Sequence, residues 1–318
     1  MPLALLFIDG VGVGAKDPDL NPLARGDYLL SRFEGAERGP LPFGGIATAV
    51  DTTFDVRGRP QSASNQTALL TGLPAPRIIG QHILGFPNAP LRALLAEHSI
   101  VRKLTEAGRE ATFANAYPAG YLDALGLARR PSQRADVEIP RRLVRKLKAS
   151  ATTLAMSAGR VPLRTLDDAR ADEALTHDID GRRARSRGFE IPGRSPEEAA
   201  AIFWRVAKGA DFTLFEHYLA DEAGHAQDMA AAEDALATFD RFLRAVALNR
   251  PAGTHVLVCS DHGNVEDLST RSHTLNQVPV LYFGPAPEAV IPALTDVADV
   301  GRIILGLLGV AAPAEIRP

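Results

Sequence analysis

The chain has very little cysteine, since Cys259 is the only one among its 318 residues. A single thiol cannot form an intrachain disulfide, and a zinc site built on paired thiolates is excluded as well. Cysteine this rare suits a reducing compartment, so we expect a cytoplasmic protein. Any metal that the chain binds must be held mainly by oxygen and nitrogen ligands.

Excess charge of either sign is also lacking. Lys and Arg number 35 and Asp and Glu number 38, which gives a formal net charge of −3. A charge this small provides no overall attraction to nucleic acid or to an anionic membrane, so we expect neither as a partner. A site for a phosphorylated ligand must therefore be built locally.

The first ten residues, MPLALLFIDG, contain no basic leader. Their apolar run is too short for a signal peptide or a membrane span, and no other stretch approaches spanning length. We expect a globular protein whose first residues form a buried β-strand.

Short apolar runs recur along the chain, each beside a helical or turn-forming segment. This alternation predicts an α/β fold with a mostly parallel sheet sandwiched between helices. Between 118 and 188 arginine is frequent and prolines interrupt short helical stretches, so we expect a small inserted cap that faces the substrate. The core would comprise 1–117 and 189–318. The predicted strands are Leu3–Ile8, Thr112–Ala116, Phe212–Phe215, His255–Cys259 and Val278–Phe283.

Three segments predict helices. Apolar residues recur at helical spacing between 226 and 249, which indicates an amphipathic helix packed on the sheet. The sequence SPEE that begins at Ser195 forms a capping box with proline at the first helical position. The stretch 67–71 is typical of a helix, and Gly72 would end it.

Carboxylate and imidazole groups lie beside the ends of the predicted strands at four places. Each alone has an ordinary explanation, such as a helix cap, a turn or a hydrogen-bonded surface histidine. Together they lie where an α/β sheet collects its ligands, outside the carboxyl ends of its strands. We therefore predict that they meet in one site. The six residues are Asp9, Asp221, His225, Asp261, His262 and His273.

This donor set indicates which metals to expect. Three carboxylates and three imidazoles suit two divalent transition ions such as Mn²⁺ or Zn²⁺. Mg²⁺ is disfavoured because it prefers oxygen ligands and water to imidazole.

A nucleophile could come from the segment GRPQSASNQTALLTG. Ser62 and Ser64 lie at the N-terminus of the predicted helix, where backbone N–H groups and the helix dipole favour a phosphate. The ordinary alternative is a serine that only caps the helix. A nearby metal pair favours the nucleophile, because coordination lowers the pKa of a serine hydroxyl.

The order of these motifs resembles the alkaline phosphatase superfamily, in particular its branch of cofactor-independent phosphoglycerate mutases and phosphopentomutases. The motifs of that branch occur here in the same order, from Asp9 to Pro279: Asp, Ser, D-x-x-x-H, D-H-G-N and H-x-x-x-x-V-P. The segment SASNQTALLTG matches the branch's phosphorylated serine or threonine motif without a gap, which implies Ser62 as the nucleophile. The chain departs from the mutases at Asn65 and Gln66, where they usually carry Gly-His.

The resemblance also implies how the ligands divide between two metal ions, with the nucleophile beside both. One ion would be held by Asp9, Ser62, Asp261 and His262. The other would be held by Asp221, His225 and His273.

The function that this resemblance implies is phosphomutase-like transfer on a small phosphorylated metabolite, by way of a phosphoserine. A metal-dependent phosphatase with the same site is one alternative, and a non-catalytic metal-binding relative is another. The insertion is much smaller than that of the phosphoglycerate mutases and shares no motif with it, so the resemblance does not imply a substrate.

Arginines of the predicted insertion could clamp a phosphate or carboxylate of the substrate. A solvated basic face is the ordinary alternative. The candidates are Arg129, Arg130, Arg141 and Arg145.

Overall fold

The computed structural model of the chain describes residues 1–291 and 294–313. A seven-stranded sheet lies at its centre, and a separate pair of strands forms a two-stranded sheet. The strands of the central sheet are β1 (Leu3–Ile8), β2 (Gly39–Leu41), β3 (Gly45–Val50), β4 (Ala111–Phe113), β7 (Phe212–His217), β8 (His255–Cys259) and β9 (Val278–Phe283). The other two are β5 (Ala116–Tyr117) and β6 (Arg164–Thr165).

Helices cover both faces of the central sheet. None of those in the described residues combines the length and the apolarity needed to cross a lipid bilayer. The helices are α1 (Ser62–Thr71), α2 (Ala75–Ile79), α3 (Ala89–His98), α4 (Ile100–Glu106), α5 (Ala119–Ala124), α6 (Arg141–Val144), α7 (Ala151–Ala158), α8 (Leu166–Arg170), α9 (Arg182–Ser186), α10 (Pro196–Ala207), α11 (Leu219–Ala226), α12 (Met229–Leu248), α13 (Pro287–Val290) and α14 (Val297–Leu307).

The central sheet has the strand order β2-β3-β9-β8-β1-β7-β4. The neighbours β4, β7, β1 and β8 run parallel, while β9 runs antiparallel to both β8 and β3. The predicted α/β fold with helices on both faces of the sheet is confirmed. All five predicted strands are present, although β4 ends earlier than predicted, and β2 and β3 were not predicted.

The first strand shows why these segments are apolar throughout. Leu5 and Phe7 point into a core shared with α1, α3, α4 and α14, while Leu6 and Ile8 point into a core shared with α10 and α12. Because successive side chains of a strand point to opposite faces, a strand covered on both sides must be apolar at every position.

The predicted start of α10 is confirmed by its cap, and the helix predicted within 226–249 begins at a cap that was not predicted. The Ser195 side chain accepts from the Glu198 N–H and the Glu198 carboxylate accepts from the Ser195 N–H, so α10 begins with a capping box. The Asp228 side chain caps α12 by accepting from Ala231 N–H. These local bonds satisfy N–H groups that have no partner within their helix.

The segment predicted as an insertion, 118–188, leaves the central sheet after β4 and returns before α10. It contributes β6, α5, α6, α8 and α9. It also contributes α7, which packs on α1, α3 and α4 and buries Ala151, Ala155 and Met156 in the core of the central sheet. Its boundaries stay a prediction.

The helix that carries Ser62 is held close to α14. Gly72 ends α1 in the left-handed conformation, with φ 71°. A Cβ added at Gly301 of α14 would lie 2.4 Å from the carbonyl oxygen of Leu69 and 3.0 Å from Gly72 N. The position of α1 therefore depends on the missing side chain at Gly301.

Gly301→Ala should lower the free energy of unfolding by about 1–3 kcal/mol, because α14 must move away from the backbone of α1. Gly306→Ala is the matched control on the same helix, since a Cβ there meets no atom within 4 Å. It should be neutral or stabilising by up to about 1 kcal/mol, owing to the higher helix propensity of alanine. Urea unfolding measures both, and equal losses in the two variants would contradict the close contact.

Candidate metal centre

The predicted ligands lie at one edge of the central sheet. Asp9 follows β1, Asp221 lies in the first turn of α11 after β7, and Asp261 and His262 follow β8. His273 instead precedes its strand. Because β9 is antiparallel to β8, the beginning of β9 lies at the same edge as the carboxyl ends of the parallel strands.

The first cluster surrounds the Nε2 atom of His262. This atom lies 2.9 Å from Ser62 Oγ, 3.3 Å from Asp9 Oδ1 and 3.5 Å from Asp261 Oδ2. Asp9 Oδ1 is buried without a hydrogen-bond partner in the described part of the chain. One ring N–H cannot satisfy three oxygens, whereas a divalent cation among these four atoms would bind them all. The residues therefore fit a metal ion.

The second cluster consists of Asp221, His225 and His273. The Nδ1–H groups of the two histidines donate to the carbonyl oxygens of Arg271 and Pro60, each at 2.8 Å. Their Nε2 atoms are therefore the metal-binding ends of the rings, and they lie 3.2 Å apart. Asp221 Oδ2 lies 3.3 Å from His225 Nε2. Carbonyl acceptors behind the rings are the usual support for metal-binding histidines.

The two clusters adjoin each other. The rings of His262 and His273 stack with centroids 3.6 Å apart, and the Asp221 carboxylate lies within reach of both rings. Ser62 Oγ lies beside His262, whose ring connects the two clusters. The structure thus brings all six predicted ligands and Ser62 into one site.

Like charges oppose one another in the first cluster. Burial, followed by the charge of Asp221, raises the pKa of Asp261 to about 7. Burial and the charge of Asp261 raise the pKa of Asp9 well above its usual value. Burial also lowers the pKa of His262 to about 4, which leaves this ring neutral and able to bind a metal. A cation would relieve the repulsion between the carboxylates.

The second cluster already contains one positive charge. The hydrogen bond with Asp221 raises the pKa of His225 to about 9. Burial alone would raise the pKa of Asp221, but the hydrogen bond with His225 outweighs it and the pKa is lowered to about 2. An imidazolium therefore neutralises Asp221 where a metal ion would do so in the loaded protein.

Two amides orient the ligand carboxylates. Gln66 Nε2 donates to Asp9 Oδ2 at 3.2 Å and to Asp261 Oδ2 at 3.0 Å. Asn264 Nδ2 donates to Asp221 Oδ1 at 2.6 Å. Gln66 is one of the two positions where the sequence departs from the mutases, and its amide supports the first cluster.

A buried carboxylate that the sequence analysis missed connects the loops of the site. Glu266 accepts from Gly12 N at 2.9 Å, from Asn264 N at 2.7 Å, from Thr274 Oγ1 at 2.5 Å and from Asn276 Nδ2 at 3.1 Å. The only sequence signal is its place two residues after the D-H-G-N motif. The role of Glu266 becomes evident only when the loops that bond to it are known.

A cavity of about 700 Å³ opens beside the first cluster. Ser62, Asp9 and Gln66 line its metal-binding end. The rest of its wall is mainly aromatic and aliphatic, and its cationic residues are Arg183 and Arg187. This volume lies within the range of small-molecule sites.

The structure does not bring the four predicted clamp arginines to this cavity. Arg129 and Arg130 form ion pairs with acidic neighbours, with N···O distances of 2.7 Å and 3.1 Å. Arg141 and Arg145 are exposed, in α6 and at its C-terminal cap. None of the four lines the cavity.

Comparisons with known proteins agree with this geometry. A family model described as "Metalloenzyme superfamily" matches residues 196–312, which include five of the six candidate ligands. The chain is 34% identical over 134 residues to the 2,3-bisphosphoglycerate-independent phosphoglycerate mutase of Dinoroseobacter shibae. It is 36% identical over 102 residues to that of Haloarcula marismortui. These matches cover 39% and 29% of this chain, and 26% and 20% of the respective relatives.

Solved structures show the fold over nearly the whole chain. Alkaline phosphatase from the Antarctic bacterium TAB5 matches with a TM-score of 0.56 at 16% identity, and covers 97% of this chain and 98% of its own. That of Thermus thermophilus matches with a TM-score of 0.53 at 13% identity, and covers 98% of this chain and 92% of its own.

The chain has the fold of the alkaline phosphatases, and its residues 196–312 match the metalloenzyme superfamily. It resembles the phosphoglycerate mutases, although the matches span only about a quarter or less of their length. Asp9 is the candidate ligand that lies outside the residues matched by the family model. The sheet brings Asp9 close to the other ligands, because β1, which Asp9 follows, lies between β7 and β8.

The site should bind about two divalent ions per chain, as its two ligand clusters require. Saturating Mn²⁺ or Zn²⁺ should raise the midpoint of thermal unfolding, and a chelator should lower it. The reason is that ions that bind only the native state stabilise it, by about 2.7 kcal/mol at a hundredfold excess over Kd. Elemental analysis and a thermal melt measure the two effects.

Asp221→Asn should remove one of the two ions and most of the matching stabilisation. Asp234→Asn is the control, since Asp234 of α12 forms an exposed ion pair with Arg182 of α9. It should leave the metal content unchanged. Full metal occupancy in the Asp221 variant would rule out the second cluster.

Proposed function

We propose that the chain transfers a phosphoryl group from a small phosphomonoester to Ser62 and then to a second acceptor oxygen, as a phosphomutase does. One observation carries this proposal. Ser62 Oγ lies 2.9 Å from His262 Nε2, at the point where the two ligand clusters adjoin. A hydroxyl beside such ligands is placed to act as a metal-activated nucleophile.

The position of Ser62 on α1 supports the same reaction. Ser62 is the first residue of the ten-residue helix α1. The first N–H groups of a helix have no partner within it and point outward from its N-terminus, where they attract anions. A phosphate held there would have its phosphorus close to Ser62 Oγ.

The metal ions, Ser62 and Gln66 have separate roles in the proposed reaction. Two divalent ions, when bound, would polarise the phosphate oxygens and lower the pKa of the serine hydroxyl. Ser62 Oγ attacks phosphorus, the P–O bond to the substrate alcohol breaks, and a phosphoserine forms. Gln66 holds the carboxylates of Asp9 and Asp261 in place throughout.

The second acceptor decides between two activities. Return of the phosphoryl group to another hydroxyl of the bound alcohol gives a mutase, which the names of the sequence relatives favour. Attack by water gives a phosphatase. The phosphatase is the second candidate, and it is supported by the alkaline phosphatase fold over 97% of the chain.

A hydrolase of the Ser-His-Asp type is not supported. In that mechanism a carboxylate accepts the Nδ1–H of the catalytic histidine and orients its ring. His262 Nδ1 is buried and has no hydrogen-bond partner in the described residues. Ser62 and His262 therefore lack the third member of a triad.

We further propose that the insertion, 118–188, forms part of the substrate site of a cytoplasmic enzyme, with Mn²⁺ or Zn²⁺ as its metal. Tyr121, Val137, Ile139 and His177 of this segment line the cavity that begins at Ser62. A non-catalytic metal-binding relative would not require such a cavity.

Ser62→Ala should lower turnover of a phosphomonoester by at least about a thousandfold, because the nucleophile is lost. The fold and most of the bound metal should remain. Ser64→Ala is the matched control on the same helix. Its Oγ donates to the Gln61 carbonyl and accepts from Ile83 N–H.

Ser64→Ala should therefore cost about 1 kcal/mol of stability and keep its turnover. Steady-state kinetics with elemental analysis separate the two variants. An active Ser62 variant with an inactive Ser64 variant would move the nucleophile to Ser64, and a metal-loaded wild type without turnover would favour the non-catalytic relative.

A panel of phosphomonoesters assayed with Mn²⁺ or Zn²⁺ tests the mutase against the phosphatase. For the mutase we expect an isomeric phosphate ester to accumulate faster than inorganic phosphate, because the bound alcohol takes the phosphoryl group back. Phosphorus NMR follows both products in one sample. Phosphate release without any isomerisation would exclude the mutase.

A further inference from the structure

We propose that the substrate carries a planar aromatic ring, which binds against a wall formed by the rings of Tyr117, His177 and Tyr218. The inference rests on the proposed function, since the phosphate of the same molecule would lie at Ser62. It goes further by naming the class of the organic part. We call this wall the ring subsite.

The ring subsite is a continuous set of aromatic contacts. The rings of Tyr117 and His177 meet edge to face with centroids 5.1 Å apart, and those of His177 and Tyr218 lie 4.9 Å apart. Tyr121 stacks on Tyr117 at 6.0 Å. All four line the cavity, so their free faces and edges are offered to its contents. Aromatic side chains of this kind bind flat rings by stacking.

The remainder of the cavity wall is apolar. Phe86, Val137, Ile139 and Phe189 line it together with the ring subsite. A cavity of about 700 Å³ is much larger than a three-carbon phosphate needs. Burying a ring against these side chains would release ordered water and contribute to binding.

The charges of the wall argue against a small polyanionic substrate. Arg183 is ion-paired with Glu222, and its guanidinium carbon lies 5.7 Å from the centre of the Tyr218 ring. Arg187 is the one lining cation without an ion pair in the described residues. Asp178 is also on the wall and is acidic. A phosphorylated sugar acid would find few cations for its extra carboxylate.

One polar group of the subsite is held in a defined state. Asn115 Oδ1 accepts from Glu216 N–H at 2.8 Å, which turns its amide nitrogen toward His177 Nδ1 at 2.9 Å. Nδ1 must therefore accept, and the hydrogen of the neutral ring lies on Nε2. Burial favours this neutral form by lowering the pKa of His177 to about 4. A ring with an acceptor atom, such as a nucleobase, would complement this N–H donor.

Binding of paired esters tests the inference apart from catalysis. The protein is metal-loaded Ser62→Ala, and isothermal titration calorimetry measures Kd. Adenosine 5′-monophosphate is paired with ribose 5-phosphate, and 2-phenylethyl phosphate with ethyl phosphate, because each pair shares its phosphate ester linkage. The ring-bearing member should bind at least about tenfold more tightly, since stacking of one ring contributes about this much.

The pattern across the two pairs identifies the kind of ring. A preference in both pairs supports an apolar aromatic ring, and a preference in the nucleotide pair alone supports a ring with an acceptor for His177. Equal affinities within both pairs would overturn the inference. Turnover of the same esters by the wild type tests the proposed function separately, because it can fail while the Kd ratios still hold.

Tyr117→Leu should reduce the ring preference by at least about fivefold while leaving the Kd of ribose 5-phosphate unchanged, because leucine fills the space without a flat π face. Phe86→Ala provides a second variant at a position that is 46% exposed, where folding is not at risk. It should weaken only the ring-bearing ligands. An unchanged preference in both variants would refute the ring subsite.

Discussion

The arrangement of the site depends on one buried carboxylate. Glu266 accepts four hydrogen bonds from the loops after β1 and β8 and from the loop before β9, and these loops carry four of the six candidate ligands. The loops approach so closely that a Cβ at Gly12 or at Gly263 would lie 2.2 Å from Glu266 Oε1. Burial raises the pKa of Glu266, although its hydrogen bonds oppose this. The contact between the loops therefore requires the desolvation of a carboxyl group. Direct bonds between the loops, from Val11 N–H to Ser260 Oγ and from Thr274 N–H to the Gly263 carbonyl, reinforce this arrangement.

Convergence of the ligands creates an electrostatic conflict that folding alone does not resolve. Asp9 and Asp261 are buried beside each other, and burial together with the charge of Asp261 raises the pKa of Asp9. The Gln66 amide bridges them but carries no charge. At the second cluster the His225 imidazolium compensates Asp221. Metal ions would balance this excess of buried carboxylate, and Ser62 lies beside His262 at the same site.

The aromatic wall of the cavity is built from distant parts of the chain. Tyr218 follows β7 at the edge of the central sheet, whereas His177 lies in the insertion and Asn115 follows β4. Asn115 joins them by bonding both His177 and the backbone of Glu216. Asn115 thus joins two residues that line the cavity, His177 of the predicted insertion and Glu216 of β7. These bonds fix the position of this part of the wall relative to the central sheet.

The sequence by itself determined what each segment is. Apolar runs identified five of the central strands, and a capping box set the beginning of α10. The ligand residue types favoured two divalent transition ions. Phosphoryl transfer was implied by the resemblance of the motif order and not by the residue types. Such features are local, because a strand or a cap is encoded within a few residues. Only the tertiary structure decided which segments meet. It alone showed the reversed direction of β9 that brings His273 to the ligand edge, the role of Glu266 between three loops, and the pairing of Arg129 and Arg130 with acidic neighbours away from the cavity. These three features depend on residues that are far apart along the chain. No local sequence pattern encodes the distance between such residues in the folded protein.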